Sequence, residues 1–176
     1  MLSVNLQIRG VTVADVDRLL DLNNAATPAV PLMDRAGLAD LIDRSDHAYG
    51  IVNAATPGGG SIDAALLGFV LAMLPGRDYE SENYRFFSTR SESFLYIDRI
   101  VVDANIRGAG LGRMLYEHAF AIARRAALPE VTCEVNHEPP NPESMAFHAR
   151  MGFAEIGRQA TKNGTVEVAL LAASVG

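Results

Sequence analysis

The sequence predicts a single α/β domain, and two patterns carry that prediction. The first is an apolar run rich in β-branched and aromatic residues (94–102), which leads through a glycine-rich stretch (107–112) into a helical pattern over residues 111–126. The second is an alternation of strand-like and helix-like segments along the chain, ending in a hairpin pattern around Lys162-Asn163-Gly164. Strands that alternate with helices are typical of the α/β class.

Composition narrows the classes of function. The 176 residues suffice for one domain with a sizeable core, and 49% hydrophobic with 20% charged residues is typical of a globular protein. A net charge of −6 disfavours nucleic acid as a partner. No apolar run has the length of a membrane span, and no secretory signal is visible. Cys133 is the single cysteine, so no disulfide framework forms, and we expect a cytoplasmic protein.

The first third of the chain reads as a strand and two helices. Residues 4–9 alternate apolar and polar side chains, as a half-buried strand does. Thr12 and Asp15 form a capping box that begins a helix reaching about Asn23. Asp34 is expected to cap a second, short helix with an apolar face of Leu38, Leu41 and Ile42.

The middle of the chain contains two further strands and an irregular segment. We expect strands at residues 48–54 and 65–74, joined by a flexible glycine-rich connection at 56–61. Residues 75–90 mix acidic and aromatic side chains without periodicity and are expected to form a long loop. Its aromatic residues either cover an edge of the core or form the lid or wall of a substrate pocket.

The last third predicts strand, helix and hairpin. Residues 131–135 read as a strand, and residues 137–142, with three prolines, are expected to be irregular. Asn141 caps a helix over residues 143–150, Pro142 occupies its first position, and Gly152 ends it. Residues 153–158 and 165–171 are the expected hairpin strands.

The stretch from Arg107 to Gly112 has the features of an anion site. Glycines let the backbone approach a ligand closely, and the N-terminus of the following helix offers free N–H groups and a positive dipole end. A P-loop is excluded because Gly112 is followed by Arg113-Met114 rather than Lys-Ser/Thr. A dinucleotide fingerprint fits poorly, because Gly108, Gly110 and Gly112 are evenly spaced. The remaining alternative to an anion site is a tight strand-to-helix turn.

Arg107, Gly110 and Gly112 fit the pattern Arg-x-x-Gly-x-Gly. This resembles the coenzyme-binding signature of the GNAT superfamily of acyl-CoA-dependent N-acyltransferases, which lies between a central strand and a helix. The superfamily also has a later strand, an Asn and a helix ending in Gly-Phe, similar to Asn141 and the run from Ser144 to Phe153. The resemblance covers residues 6–171, with its specific part at 96–153. Residues 78–84 and 96–99 look like those of a poorly characterised bacterial subgroup.

The resemblance implies a mixed, mostly antiparallel sheet flanked by helices, with one splayed strand pair, in a single N-acetyltransferase domain over residues 1–176. It implies acetyl-CoA as co-substrate and transfer of the acetyl group to a primary amine by direct attack in a ternary complex. The acceptor would be a small molecule or a peptide, and a homodimer is compatible with the family. We expect no metal, since no Cys/His cluster has ligand spacing.

The coenzyme contacts that the resemblance implies fall on the central strand, the glycine loop, the later strand and the last helix. Backbone N–H groups of the loop would bind the diphosphate. For Asn136 and Asn141, an ordinary loop residue and a helix cap remain as alternatives. The set is Ile100, Val101, Val102, Arg107, Gly108, Ala109, Gly110, Leu111, Gly112, Arg113, Asn136, Asn141, Ser144 and Phe147.

The departing thiolate needs a proton donor, and many family members supply a tyrosine four residues before the glycine of Gly-Phe. Here that position is His148. An imidazole suits proton transfer near neutrality, so His148 is one candidate; a packing histidine is the alternative. Tyr84, Tyr96 or solvent could donate instead.

For the base that accepts the amine proton, the first candidate is Asp98, a carboxylate inside an apolar strand. Such a group either faces the pocket or pairs with an arginine, for example near Arg77. Glu134 and His137 are further candidates, and Cys133 is expected in the core.

Two rival functions remain open at the level of sequence. One is a catalytically weak acyl-CoA-binding or sensing module, which the missing tyrosine favours. The other is the same chemistry with a different acyl-CoA. The acidic stretch at 78–82 and the negative net charge favour a cationic acceptor.

Overall fold

The computed structural model describes residues 5–54 and 65–176. In this part of the chain the strands are β1 (Leu6–Gly10), β2 (His47–Asn53), β3 (Leu66–Met73), β4 (Leu95–Val102), β5 (Glu130–Glu138), β6 (Ala154–Thr161) and β7 (Val166–Ser174). The α-helices are α1 (Val16–Ala25), α2 (Arg35–Arg44), α3 (Glu82–Arg90), α4 (Leu111–Arg125) and α5 (Pro142–Arg150). Short 3-10 helices lie at Val13–Asp15 and Ala104–Ile106.

The strands form one sheet in the order β1-β2-β3-β4-β5-β7-β6. β1 pairs with β2, β5 with β7, and β6 with β7, all antiparallel, whereas β4 and β5 are parallel. The mixed, mostly antiparallel sheet flanked by helices that the sequence predicted is therefore confirmed.

The chain divides into two compact units. The first unit comprises Met1–Leu71 and Arg99–Leu115. Its helices begin as predicted: Thr12 and Asp15 form the capping box, and the Asp34 side chain accepts a hydrogen bond from the Gly37 N–H at 2.7 Å. Apolar residues of α1, α2 and β2 form its core, among them Leu19, Leu38 and Ile51.

The second unit comprises Ala72–Asp98 and Tyr116–Gly176. Two groups of aromatic rings organise its core. Tyr84 and Phe87 from α3 pack on Phe94 and Tyr96, with ring centroids 5.5 to 6.3 Å apart. The other group surrounds Tyr116 on α4 and consists of Phe120, Phe147, His148 and Phe153.

The prediction of a loop over residues 75–90 was wrong for its second half, which forms α3. The Ser81 side chain caps this helix by accepting a hydrogen bond from the Tyr84 N–H. Only Tyr84 and Phe87 are buried, so the apolar face is two rings wide and too short to show a period. Of the two roles suggested for the aromatic residues, these two rings take the first, since they cover an edge of the core.

The prediction that residues 137–142 are irregular was wrong for the first two. β5 continues to Glu138, because β7 pairs with it across a bulge between Asn136 and Glu138. The hairpin strands β6 and β7 are likewise longer than expected, and the Lys162-Asn163-Gly164 turn has positive φ at all three residues. The connection predicted at 56–61 and the start of the first predicted strand, residue 4, lie outside the described residues.

Candidate functional site

The glycine loop follows β4 as the sequence predicted. Beyond the 3-10 helix Ala104–Ile106, the chain is exposed from Arg107 to Gly110, and α4 begins at Leu111, whose side chain is buried. The Met114 N–H donates to the Gly110 carbonyl at 3.0 Å and so closes the first turn. The first N–H groups of a helix have no partner within it, so the start of α4 presents donors to this exposed loop.

Two glycines of the loop have backbone conformations that other residues rarely adopt. Gly108 has φ of +82° and Gly110 has φ of +78°. A Cβ atom at either position would meet nothing within 4 Å, whereas a Cβ atom at Gly68 would lie 2.8 Å from the Val101 carbonyl oxygen. Gly68 is thus required by packing inside the protein. Gly108 and Gly110 are required by the backbone alone, and the open space beside them fits the close approach of an anionic ligand.

The other predicted coenzyme contacts in the first unit differ in exposure. Ile100 and Val102 are half-buried and lie on one face of β4, while Val101 points into the core. Arg107, Ala109 and Arg113 are exposed, and Gly112 is half-buried. Leu111 is 3% exposed, so any ligand contact it makes must use its backbone.

The predicted coenzyme contacts in the second unit lie on β5 and at the start of α5. The Asn141 side chain caps α5 by accepting a hydrogen bond from the Ser144 N–H at 3.3 Å. Ser144 and Phe147 are half-buried in the following turn, and Asn136 pairs with Val168 in the sheet. The helix cap foreseen for Asn141 is therefore present, and it leaves room for a second role.

Asp98 and Tyr79 form the first of two carboxylate–phenol pairs in the second unit. Asp98 is 7% exposed, and its Oδ1 accepts a hydrogen bond from the Tyr79 hydroxyl at 2.6 Å. The sequence had not singled out Tyr79. Its signal was the alternation of acidic and aromatic residues at 78–84, which lies in the segment suggested as a pocket wall.

Tyr96 and Glu134 form the second pair. The Tyr96 hydroxyl donates to Glu134 Oε1 at 2.9 Å. Burial raises the pKa of Tyr96 well above its usual range, and the negative charges of Glu134 and Asp98 raise it further. Because both carboxylates act on the same phenol, we treat Tyr79, Asp98, Tyr96 and Glu134 as one carboxylate–phenol cluster.

This cluster lies beside the residues that pair β4 with β5 in the second unit. Within the second unit, the ladder between these strands pairs Leu95 with Val131 and Tyr96 with Thr132, although both strands continue. Tyr96 and Asp98 alternate with Ile97, so they share a face of β4, and Thr132 and Glu134 share a face of β5 in the same way.

His148 is buried, at 5% exposure, and both of its ring nitrogens are hydrogen-bonded. Nδ1 lies 2.7 Å from the Ser144 carbonyl oxygen, which can only accept, so Nδ1 carries the hydrogen. Nε2 lies 2.7 Å from the Tyr116 hydroxyl and accepts from it. Burial lowers the pKa of His148 below its usual range. Of the two roles open from the sequence, this geometry favours the packing histidine over a protonated donor.

The remaining candidates have ordinary surroundings. His137 is half-buried, and its Nε2 lies 2.6 Å from a terminal guanidinium nitrogen of Arg158. Cys133 is buried, and burial raises the pKa of its thiol. No group of His, Cys, Asp or Glu suitable for a metal ion occurs among the described residues. None of the helices in the described ranges is long and apolar enough to cross a membrane.

The mixed sheet with its parallel β4–β5 pair and the strand–loop–helix unit have the features of the acyltransferase class that the sequence resembles. Residues 18–153 match the model of the Acetyltransferase (GNAT) family, so the chain belongs to that family. This confirms the predicted family and enzyme class.

Sequence relatives match only part of the chain. Peptidyl-lysine N-acetyltransferase YjaB of Escherichia coli K12 is 36% identical over 63 residues, which are 36% of this chain and 38% of that protein. The match thus spans little more than a third of the curated relative.

Solved structures match nearly the whole chain. Ard1 from Thermoplasma volcanium is 17% identical, with a TM-score of 0.75 over 98% of this chain and 99% of that one. Arabidopsis thaliana NAA60 in complex with acetyl-CoA is 20% identical, with a TM-score of 0.73 over 97% and 98%. At these identities the likeness shows the fold.

Proposed function

We propose that this protein transfers the acetyl group of acetyl-CoA to a primary amine by direct attack in a ternary complex. The observation that carries the proposal is the exposed glycine loop, whose positive-φ glycines face open space at the start of α4. Family membership supports the same chemistry. Residues 1–176 act as a single N-acetyltransferase domain in this proposal, since the family match spans parts of both units.

The coenzyme diphosphate is held by backbone N–H groups between Arg107 and Gly112, with the dipole of α4 behind them. Ile100 and Val102 contact the pantetheine arm from β4, and Asn141 and Ser144 contribute from α5. When bound, acetyl-CoA supplies a thioester whose carbonyl carbon is the electrophile. The protein supplies orientation and a place for the amine proton.

Asp98 is the proposed base. An amine attacks only in its neutral form, so a carboxylate within reach of the amine must accept its proton. The Tyr79 hydroxyl, 2.6 Å from Asp98 Oδ1, fixes the orientation of the carboxylate. Glu134 is held in the same way by Tyr96. The phenols leave each carboxylate fixed before the acceptor arrives, which lowers the cost of ordering it during the reaction.

His148 is assigned a packing role in this proposal, and the thiolate receives its proton from solvent. The hydroxyls of Tyr84 and Tyr96, the other donors considered, are engaged with the Leu74 carbonyl and with Glu134. Since coenzyme A thiolate is a stable leaving group near neutral pH, a positioned acid is helpful but not required.

The acceptor in this proposal is a lysine side chain in a peptide. The curated relative is a peptidyl-lysine N-acetyltransferase. The carboxylate–phenol cluster has the charge and the aromatic surface that attract an alkylammonium group.

The test is release of free thiol from acetyl-CoA across a panel of amines: lysine peptides, peptides with free N-termini, and small polyamines. The proposal expects release with lysine peptides, with an equal amount of acetylated product found by mass spectrometry. Tight coenzyme binding without thiol release for any amine would instead support the sensing module. Faster thiol release from a longer acyl-CoA than from acetyl-CoA would support the same chemistry with a different acyl-CoA.

A further inference from the structure

The glycine loop is exposed, yet a binding loop must hold one conformation to bind well. Glycine loses more conformational freedom on ordering than any other residue, and this loop contains Gly108 and Gly110, with one residue between them. The loop is fixed at its far end by Leu111, whose side chain is buried. What fixes its near end is Asp103, the residue directly after β4.

Asp103 is held through both its backbone and its side chain. Its N–H donates to the Leu67 carbonyl of β3 at 2.8 Å. Its Oδ1 accepts from the N–H and the side-chain amide of Asn105, at 3.0 and 2.9 Å, and thereby starts the 3-10 helix that leads into the loop. The direction of this carboxylate therefore sets the path of the chain toward Gly108.

The other oxygen of Asp103 is bound by Arg18 of α1. The Arg18 guanidinium donates from one terminal nitrogen to Asp103 Oδ2 at 2.8 Å and from Nε to the Leu66 carbonyl at 3.0 Å. One planar group thus joins α1, β3 and the turn after β4. The Asn105 hydrogen bonds, followed by Arg18, lower the pKa of Asp103, so it stays a carboxylate at neutral pH.

Beyond this contact, α1 and the turn do not pack closely. A cavity of about 230 Å³ lies between them, lined on one side by Asp21, Leu22 and Ala25 of α1 and on the other by Val102, Asn105 and Arg107. Since the cavity separates the two surfaces, the Arg18–Asp103 contact has a larger share in fixing the turn than it would in a packed interface.

We propose that Arg18 is a positioning residue for coenzyme binding, which holds Asp103 and so fixes the glycine loop in its binding conformation. The inference rests on the proposed coenzyme site. Arg18 does not touch the ligand in this account. Its effect is on the affinity for acetyl-CoA, and the chemical step is left unchanged.

The variants are Arg18→Gln, Arg18→Lys and Asp103→Asn, with Arg35→Gln as the matched control. Arg35 also donates to an aspartate, Asp17, at 2.8 Å in the same unit, but both side chains are mostly exposed and neither adjoins the loop. Lysine keeps the charge but lacks the planar fork that reaches Leu66 and Asp103 together. Arg18→Lys should therefore retain only part of the affinity for acetyl-CoA that Arg18→Gln loses.

The measurements are KM for acetyl-CoA, kcat, and the shift in melting temperature produced by coenzyme A. We expect Arg18→Gln to raise KM for acetyl-CoA about tenfold, with kcat within about twofold of the wild-type value. The KM of Arg18→Lys should lie between those of Arg18→Gln and the wild type. The control, Arg35→Gln, should have the wild-type KM. The double variant Arg18→Gln with Asp103→Asn should have the same KM for acetyl-CoA as Asp103→Asn alone, because both substitutions remove the same Arg18–Asp103 contact.

A lower melting temperature with unchanged KM and an unchanged coenzyme-induced shift would overturn the inference, since Arg18 would then be structural only. A fall in kcat with unchanged KM would overturn it as well. Both results leave the proposed function standing, because the wild type still binds and reacts. A wild type that does not bind coenzyme A would instead remove the proposed function and this inference together.

Discussion

The glycine loop and the carboxylate–phenol cluster are built in opposite ways. The loop is one continuous stretch whose binding groups are backbone N–H donors, and its surface is exposed. The cluster joins four side chains, Tyr79, Asp98, Tyr96 and Glu134, from three separate segments; Asp98 and Tyr96 are buried and the other two are half-buried. A site made by backbone is encoded in adjacent residues, whereas a site made by side chains depends on which segments the fold brings together.

The largest expected effect is at Asp98, where a substitution should change kcat without changing coenzyme binding at the glycine loop. Asp98→Asn should lower kcat about 10²- to 10⁴-fold, because the amide cannot take the proton of the amine. Its coenzyme-induced thermal shift should equal that of the wild type. Steady-state kinetics and thermal shift measure the two quantities. The control is Glu130→Gln, a carboxylate of β5 that binds Arg90 outside the cluster. A wild-type kcat for Asp98→Asn would remove Asp98 from the mechanism.

The reverse pattern is expected at the loop. Gly110→Ala places a Cβ on a backbone with φ of +78°, which costs about 1–2 kcal/mol of stability and should weaken coenzyme binding at least about tenfold. The matched control is Gly164→Ala in the β6–β7 turn, where φ is +83° and the Cβ also meets nothing within 4 Å.

Unfolding by urea and titration with coenzyme A check these two glycine variants. Both should lose similar stability, and only Gly110→Ala should lose affinity. Equal affinities of the two variants for coenzyme A would show that the diphosphate does not bind at the glycine loop.

These two regions also explain what the sequence predicted and what it missed. The capping box at Thr12, the cap at Asn141 and the glycines of the loop are local signals, and each was found where it was expected. The extension of β5 to Glu138 is imposed by β7, a partner about thirty residues away. Tyr79 was missed for the same kind of reason, because its contact with Asp98 spans 19 residues.

The third variant concerns the close approach of two strands, and its expected effect on coenzyme binding is smaller than that of Gly110→Ala. Gly68→Ala would place a Cβ 2.8 Å from the Val101 carbonyl oxygen, so β3 and β4 must move apart. We expect a loss of about 1–3 kcal/mol in the free energy of unfolding, measured by urea. Because β4 leads into the loop, coenzyme affinity should also fall. A variant as stable as the wild type would show that this approach relaxes at no cost.

The smallest effect tests the assignment of His148 to packing. Its pKa in the folded protein is below the ordinary value of about 6.5, so the unfolded chain binds more protons in the range between the two values. Stability should therefore be greatest above pH of about 6.5 and fall as pH decreases from there to the folded pKa.

The matched measurement is the free energy of unfolding between pH 5 and 8 for the wild type and His148→Gln. The wild type should lose stability relative to the variant as pH falls, whereas the pH dependence of kcat should be the same in both. Parallel unfolding curves, or a kcat profile that changes with His148, would contradict the assignment.

The most direct test of the central claim is the response of individual backbone amides to coenzyme A. Titration of isotope-labelled protein, followed by amide resonances, reports each N–H of the loop separately. We expect the largest downfield shifts at Gly108, Gly110 and Gly112, with no change at Gly164. Binding of coenzyme A that leaves the three loop amides unshifted would contradict it.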